Sequence, residues 1–162
     1  MFTRRLLIAQ GLTLPVLLVV PALAQSAGSP AETLAAALVT CWQARGIRFT
    51  LAQVVGRIGP RSGRAALLAV AGATEAADGE EVETAVEILW EAGAAPSPAQ
   101  PLLARDLGKG LPLLLISSDG RALLLHAMDG GTALASDPLT GQRLSLPISH
   151  VALIGRPVIS GA

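Results

Sequence analysis

LPLLLISSDGRALLLHAMDGGTALASDPLTGQRLSL, residues 111–146, is the stretch that decides the fold of this 162-residue chain. Short apolar runs alternate in it with turns that contain glycine, which is the pattern of consecutive β-strands joined by hairpin turns. The predicted strands are residues 111–116, 121–128, 132–136 and 142–146, and the turns are Asp119-Gly120, Asp129-Gly130-Gly131 and Thr140-Gly141. We therefore expect an antiparallel meander in the second half of the chain.

The first half begins with a helix-start signal at Ser29. Proline follows it directly and Glu32 stands three residues after it, so the serine is expected to cap the helix and the glutamate to bond back to it. Apolar side chains then recur at helical spacing, and Gly46 ends the helix. This apolar stripe consists of Leu34, Leu38, Cys41 and Trp42. Thr50 is predicted to cap a second helix over residues 51–58.

Further helices are predicted before the meander. Residues 59–79 are expected to be a loop with one short helix. Seven of the twelve acidic residues lie within residues 75–91, where apolar side chains keep helical spacing, so a helix with a solvated acidic face is predicted. Its apolar side chains are Val82, Val86, Leu89 and Trp90. A stiff linker with Pro96, Pro98 and Pro101 is expected to lead into a short helix over residues 102–107. Helices followed by a sheet indicate the α+β class.

Residues 1–24 are predicted to be a removable secretory signal. Arg4 and Arg5 precede an apolar run, and Pro21-Ala22-Leu23-Ala24 offers the small residues that a signal peptidase requires. Cleavage is expected before Gln25, which leaves residues 25–162 as a single exported domain, periplasmic or secreted, without stable membrane insertion. The paired arginines fit either a twin-arginine signal or an ordinary charged start. An uncleaved anchor helix is the alternative to cleavage.

The composition excludes several classes of function. The formal net charge is zero, with twelve basic and twelve acidic side chains, and the only aromatic residues are two Phe and two Trp. Such a chain lacks both the field that attracts nucleic acid and the stacking platforms that bind single strands or sugars. The lone Cys41 rules out an internal disulfide framework and a multi-cysteine metal cluster. Phosphate-binding, dinucleotide-binding and serine-hydrolase motifs are absent from the sequence, so no cofactor is predicted.

The order of these features resembles that of the papain-like cysteine peptidases of bacteria, in particular the bacteriocin-leader-processing type and its secreted relatives. In that family a catalytic cysteine opens the first long helix, a later strand begins Gly-His-Ala, and Asp-Pro follows the next strand. Here Thr33-Leu34-Ala35-Ala36, Gly120-Arg121-Ala122 and Asp137-Pro138 stand at those places. The resemblance covers residue 29 to about residue 146. It implies a papain-like α+β domain with a helical N-terminal half packed on a C-terminal antiparallel sheet.

The resemblance fails at the catalytic residues. Thr33 replaces the nucleophilic cysteine and Arg121 replaces the general-base histidine, whereas Asp137 is retained. A papain-like site needs a thiolate formed beside a histidine, and arginine does not accept a proton near neutral pH. The resemblance therefore implies a catalytically inactive module that binds a peptide or serves a protein partner. Arg121 is expected to pair with Asp137 and either to grip a carboxylate or to hold the fold.

Two alternatives stay open at this point. The first is an active cysteine peptidase that uses Cys41, His126 and Asp137. However, Cys41 is expected to be a packed core thiol near a helix C-terminus. His126 is five residues beyond Arg121, so we expect it on the opposite sheet face as a hydrogen-bonded structural residue. A metal pair of His126 and His150 lacks further ligands, and no metal site is predicted. The second alternative is a small periplasmic structural domain unrelated to peptidases.

Overall fold

A computed structural model describes residues 29–93 and 101–160. These ranges contain four α-helices, one 3₁₀ turn and seven strands, which confirms the predicted α+β class. The helices are α1 (Pro30–Ala44), α2 (Leu51–Ile58), α3 (Gly63–Ala69) and α4 (Pro101–Gly108), and the 3₁₀ turn is Ile148–His150. The strands are β1 (Gly72–Glu75), β2 (Glu81–Glu91), β3 (Leu113–Ser117), β4 (Ala122–Asp129), β5 (Thr132–Ser136), β6 (Arg143–Pro147) and β7 (Val151–Ser160).

The seven strands form one antiparallel sheet in the order β1-β2-β7-β3-β4-β5-β6. The predicted meander is confirmed, since β3 pairs with β4, β4 with β5 and β5 with β6. β7 then returns to the interior of the sheet, where it pairs with β2 on one side and β3 on the other. The outer strands are β1 and β6.

One face of the sheet is covered by α1, α2 and α3. The first helix begins where the sequence predicts, because the Ser29 hydroxyl accepts a hydrogen bond from the Glu32 N–H and the Glu32 carboxylate accepts one from the Ser29 N–H, each at 3.1 Å. Thr50 and Gln53 close the same kind of box at the start of α2. The core beneath these helices includes Leu38, Trp42, Val54, Ile58, Leu67, Leu114, Ala122 and Leu124.

The other face carries a second apolar core. Side chains alternate along a strand, so the leucines of β3 and β4 divide between the two faces. On this side lie Leu113, Leu115, Leu123 and Leu125, together with Leu103 of α4, Ala133, Ala135 and Ile154. The centre of the sheet is thus buried on both faces, which accounts for its unbroken leucine runs.

The predicted acidic helix is wrong: this segment contains strands β1 and β2. Val82 and Thr84 are buried, whereas Glu81 and Glu83 between and beside them are exposed. Asp78-Gly79 makes the turn that joins β1 to β2, with the Gly79 N–H donating to the Ala76 carbonyl at 3.0 Å. Because the segment alternates apolar and acidic residues, an antiparallel pair buries one side and leaves the carboxylates in water.

Residues 59–79 and the C-terminal segment also hold strands that the sequence does not predict. The short helix expected in 59–79 is α3, but β1 follows it within the same stretch. β7 lies beyond the last predicted strand. Its Pro157 pairs with Val86 of β2 alone, because the pairing of β3 with β7 stops at Gly155, so the missing proline N–H leaves the β3 ladder intact.

The predicted signal at residues 1–24 and the linker residues Pro96 and Pro98 fall outside the described residues. Within the described ranges, none of the helices has the length and apolar character that crossing a bilayer requires.

Candidate functional site

A cleft of about 270 Å³ opens where the turn between β3 and β4 meets β6 and the 3₁₀ turn. We call it the Arg121 cleft. It is lined by Ser117, Ser118, Asp119, Arg121, Leu123, Leu146 and His150. Leu123 belongs to the second core and Leu146 packs against it, so the cleft lies on the face of the sheet opposite α1. It combines a polar rim with an aliphatic floor.

The backbone of the rim is held by a tight turn. Gly120 has φ +91°, a conformation that glycine adopts without strain, and its N–H donates to the Ser117 carbonyl at 2.9 Å. The Ser118 N–H donates to the His150 carbonyl at 2.8 Å. The turn and the segment that carries His150 are therefore joined directly, although they are far apart in sequence.

Asp119 presents a fixed negative charge at this rim. Its Oδ1 accepts a hydrogen bond from the Ser117 hydroxyl and a longer one, 3.4 Å, from the Arg121 N–H. The Ser117 hydroxyl is the main reason that the pKa of Asp119 is lowered, and the positive charge of Arg121 acts in the same direction. Asp119 is thus ionised at neutral pH.

Arg121 and Asp137 form the ion pair that the sequence predicts. The Arg121 Nη2 and Asp137 Oδ2 atoms are 3.5 Å apart; the arginine side chain is 43 % exposed and the aspartate side chain 6 % exposed. The other oxygen of Asp137 accepts backbone N–H groups of Leu139 at 2.8 Å and Thr140 at 3.0 Å. A buried, anchored carboxylate therefore holds a partly exposed guanidinium group that lines the cleft.

Thr33, at the position of the family nucleophile, lies on the other side of the sheet. It is buried in the first turn of α1, where its hydroxyl donates to the Ser29 carbonyl at 3.0 Å. α1 packs over Ala122 and Leu124, whereas Arg121 shares the opposite face with Leu123. The structure brings Arg121 and Asp137 together but places the helix of Thr33 across the sheet from them.

Cys41 is a fully buried core residue, surrounded by the helices and sheet of the first core. Burial raises the pKa of its thiol to about 12, although the nearby Arg45 acts in the opposite direction. A thiol with this pKa carries almost no thiolate at neutral pH.

His126 lies at a β-bulge in β4, where the register shifts between Leu125 and Ala127. Its Nε2 is 2.7 Å from the Ser136 hydroxyl, and Ser136 is the register partner of Leu124 on the α1 face. Burial, with a smaller effect from the charge of Arg143, lowers the pKa of the imidazole. His126 is thus a hydrogen-bonded residue on the face away from Arg121, and its described partner is a serine.

A buried charge network, which the sequence does not indicate, ties α1, α4 and β7 together. Asp106 Oδ2 accepts from Arg45 Nη2 at 2.9 Å and from Arg156 Nε at 2.7 Å. Burial alone would raise the pKa of Asp106, but the hydrogen bonds and charges of Arg156 and Arg45 hold it below its ordinary value. Arg45 also donates to the carbonyls of Cys41 and Pro112. The network lies at the opposite end of β3 from the Arg121 cleft, because Arg45 meets the Pro112 carbonyl just before β3 begins, whereas the cleft is lined by Ser117 at the end of β3. We assign it a structural role.

The sequence does not indicate Asp119 or the two serines of the cleft as site residues, and it raises His150 only as a metal ligand paired with His126, which is not predicted. The sequence predicts a turn at Asp119-Gly120 and a strand at residues 142–146, without a site at either. The sequence signal for this site is a hairpin turn in which three polar residues, Ser117, Ser118 and Asp119, stand close to Arg121. In the described residues, no cluster of three or more His, Cys, Asp or Glu side chains is arranged to hold a metal ion.

Comparisons with models of protein families, with curated proteins and with solved structures found no match for this chain. The papain-like resemblance therefore rests on the order of sequence motifs, and it stays a prediction.

Proposed function

We propose that this protein is an exported, non-catalytic binding module, a degenerate relative of the papain-like peptidases that holds the carboxylate end of a peptide in the Arg121 cleft. The observation that carries the proposal is the Arg121–Asp137 pair. Arginine binds carboxylates through a planar fork of donors, and the anchored carboxylate of Asp137 limits how far that fork can rotate before a ligand arrives.

The surroundings of Arg121 support a peptide as the ligand. Leu123 and Leu146 provide an aliphatic surface for a side chain, and Ser118 and His150 provide polar groups for its backbone. A small apolar floor with a few convergent polar groups is typical of ligand sites.

The states of the other candidate residues support a role without catalysis. Cys41 is enclosed in the core with a pKa of about 12, His126 contacts Ser136, and Asp137 is engaged by Arg121. The alternative triad of Cys41, His126 and Asp137 is therefore disfavoured, because its nucleophile lacks both thiolate character and access to a peptide bond.

The export part of the proposal rests on the predicted signal. N-terminal sequencing of protein recovered from the periplasm or medium is expected to begin at Gln25. A chain that stays in the cytoplasm with residues 1–24 attached would contradict export.

Binding is tested with acetyl-Ala-Ala-Leu and with its C-terminal amide, by calorimetry on the purified protein. The free carboxylate is expected to bind at least about tenfold more tightly, since a charge-assisted hydrogen bond contributes roughly 1.5–3 kcal/mol. Arg121→Gln is expected to abolish this preference. The exposed Arg48, which lies outside the cleft, supplies the matched control Arg48→Gln, which is expected to leave it intact.

Two results would overturn the proposal. One is equal affinity of wild type and Arg121→Gln for the free carboxylate. The other is cleavage of peptides by the purified protein that disappears in Cys41→Ala, which would establish the active-peptidase alternative.

A further inference from the structure

We propose that the ligand of the Arg121 cleft is zwitterionic, an α-amino acid or short unblocked peptide whose carboxylate meets Arg121, whose ammonium group meets Asp119 and whose aliphatic side chain lies on Leu123 and Leu146. This inference rests on the proposed function for its carboxylate half. The ammonium half rests on independent observations at Asp119.

The first observation is the charge balance of the cleft. Arg121 is already paired with Asp137 at 3.5 Å, so one positive and one negative charge offset each other there. Asp119 adds a second carboxylate at the rim, and the hydrogen bonds that hold it come from a hydroxyl and a backbone N–H. A ligand that carried only a carboxylate would meet this charge as a repulsion, whereas an ammonium group on the same ligand would pair with it.

The second observation is the separation of the two charged side chains. Arg121 reaches along the sheet to Asp137, which follows the neighbouring strand β5, while Asp119 stays in the turn, held by Ser117. The Ser117 hydroxyl also accepts a hydrogen bond from the Arg121 N–H at 3.0 Å. The fold therefore holds Arg121, which would meet the ligand carboxylate, and Asp119, which would meet the ligand ammonium group. The two residues are two positions apart in sequence on one rim.

The size of the cleft agrees with a small ligand. Pockets for drug-sized ligands begin at about 300 Å³, and this cleft measures about 270 Å³. One or two aliphatic amino-acid residues match that space.

The test compares four probes by calorimetry: L-leucine, N-acetyl-L-leucine, L-leucinamide and Leu-Leu. Wild type is expected to bind leucine at least about tenfold more tightly than either blocked form. Asp119→Asn is expected to lose the preference over N-acetyl-leucine and to keep the preference over leucinamide, and Arg121→Gln is expected to do the reverse. Because each readout is a ratio of affinities within one variant, a general loss of affinity does not affect it.

Asp129→Asn is the matched control, since Asp129 is exposed at the end of β4 and lies outside the cleft. It is expected to keep both preferences. Once the preferences over the two blocked forms are established, tighter binding of Leu-Leu than of leucine assigns the site to short peptides, and the reverse assigns it to free amino acids.

The outcomes separate this inference from the proposed function. If N-acetyl-leucine binds as tightly as leucine and its binding depends on Arg121, the zwitterion inference is wrong and the carboxylate site stands. If neither leucine nor Leu-Leu binds but acetyl-Ala-Ala-Leu does, the conclusion is the same. If no carboxylate probe binds, the proposed function itself is overturned.

Discussion

Arg121 and Asp137 show what sequence reasoning can reach at the scale of single residues. The resemblance in the order of sequence motifs predicts their pairing, and the two side chains lie 3.5 Å apart. Asp119 and His150 could not be predicted in the same way, because only the antiparallel return of the chain and the Ser118–His150 backbone hydrogen bond bring them to one rim. The cleft forms where segments that are distant in sequence pair with each other. Local sequence patterns do not show which distant segments will pair.

Cys41 provides a residue-scale prediction. Iodoacetamide is expected to label native protein at pH 8 far more slowly than protein unfolded in urea, because burial excludes the reagent and the thiol has a pKa of about 12. Mass spectrometry of samples taken over time measures both rates. Comparable rates in the native and unfolded protein would show that the thiol is accessible and reactive.

The strands β2 and β7 show how the local sequence of a strand can fail to predict it. Val82 and Val86 are four residues apart, a separation that fits both the period of a helix and twice the period of a strand. The exposure of Glu81 and Glu83 beside buried Val82 and Thr84 follows the strand period. β7 contains Gly155 and Pro157, residues that ordinarily interrupt strands. Here Gly155 packs so close to Val86 that a Cβ would not fit. Pro157 lies beyond the part of β7 that pairs with β3.

Gly155 provides a prediction at the scale of these elements. A Cβ at this position would lie 2.8 Å from Val86 Cγ1 of the neighbouring strand, so Gly155→Ala is expected to lower the free energy of unfolding by about 1–3 kcal/mol. Adding Val86→Ala removes the obstructing methyl groups. The double variant is expected to be less destabilised than the sum of the single variants, as measured by urea unfolding.

The control for this prediction is Gly131→Ala. Gly131 has no positive φ, and a Cβ there would meet nothing within 4 Å. Its effect is expected to stay within about 0.5 kcal/mol. Additive losses from Gly155→Ala and Val86→Ala would mean that the two positions do not crowd each other.

The molecule as a whole is tied across its layers by Asp106. This one carboxylate, 2 % exposed, joins Arg45 at the end of α1 to Arg156 of β7. Asp106→Asn is expected to lower the free energy of unfolding by about 3–5 kcal/mol, because it leaves the buried Arg45 guanidinium without its counter-charge and leaves Arg156 with only the exposed Glu87 as a partner. Glu91→Gln, which breaks the exposed pair with Arg64, is the control and is expected to cost less than about 1 kcal/mol.

The same network predicts a dependence on pH. Since the folded pKa of Asp106 is lowered, its stabilisation is complete above the unfolded pKa, about 3.9, and is lost as the pH falls below that value towards the folded pKa. Urea unfolding from pH 6 down to pH 2.5 is expected to show a steeper loss of stability for wild type than for Asp106→Asn. Parallel curves would show that Asp106 does not contribute.

The two edge strands of the sheet affect how readily the protein aggregates in concentrated solution. The outer strand β1 is only four residues long and ends in Glu75, and the other outer strand, β6, begins with Arg143 and ends with Pro147. Short length, charge and proline each make an outer strand a poor template for another chain. A sheet with a leucine-rich centre is thus protected against growth into aggregates by its least apolar strands.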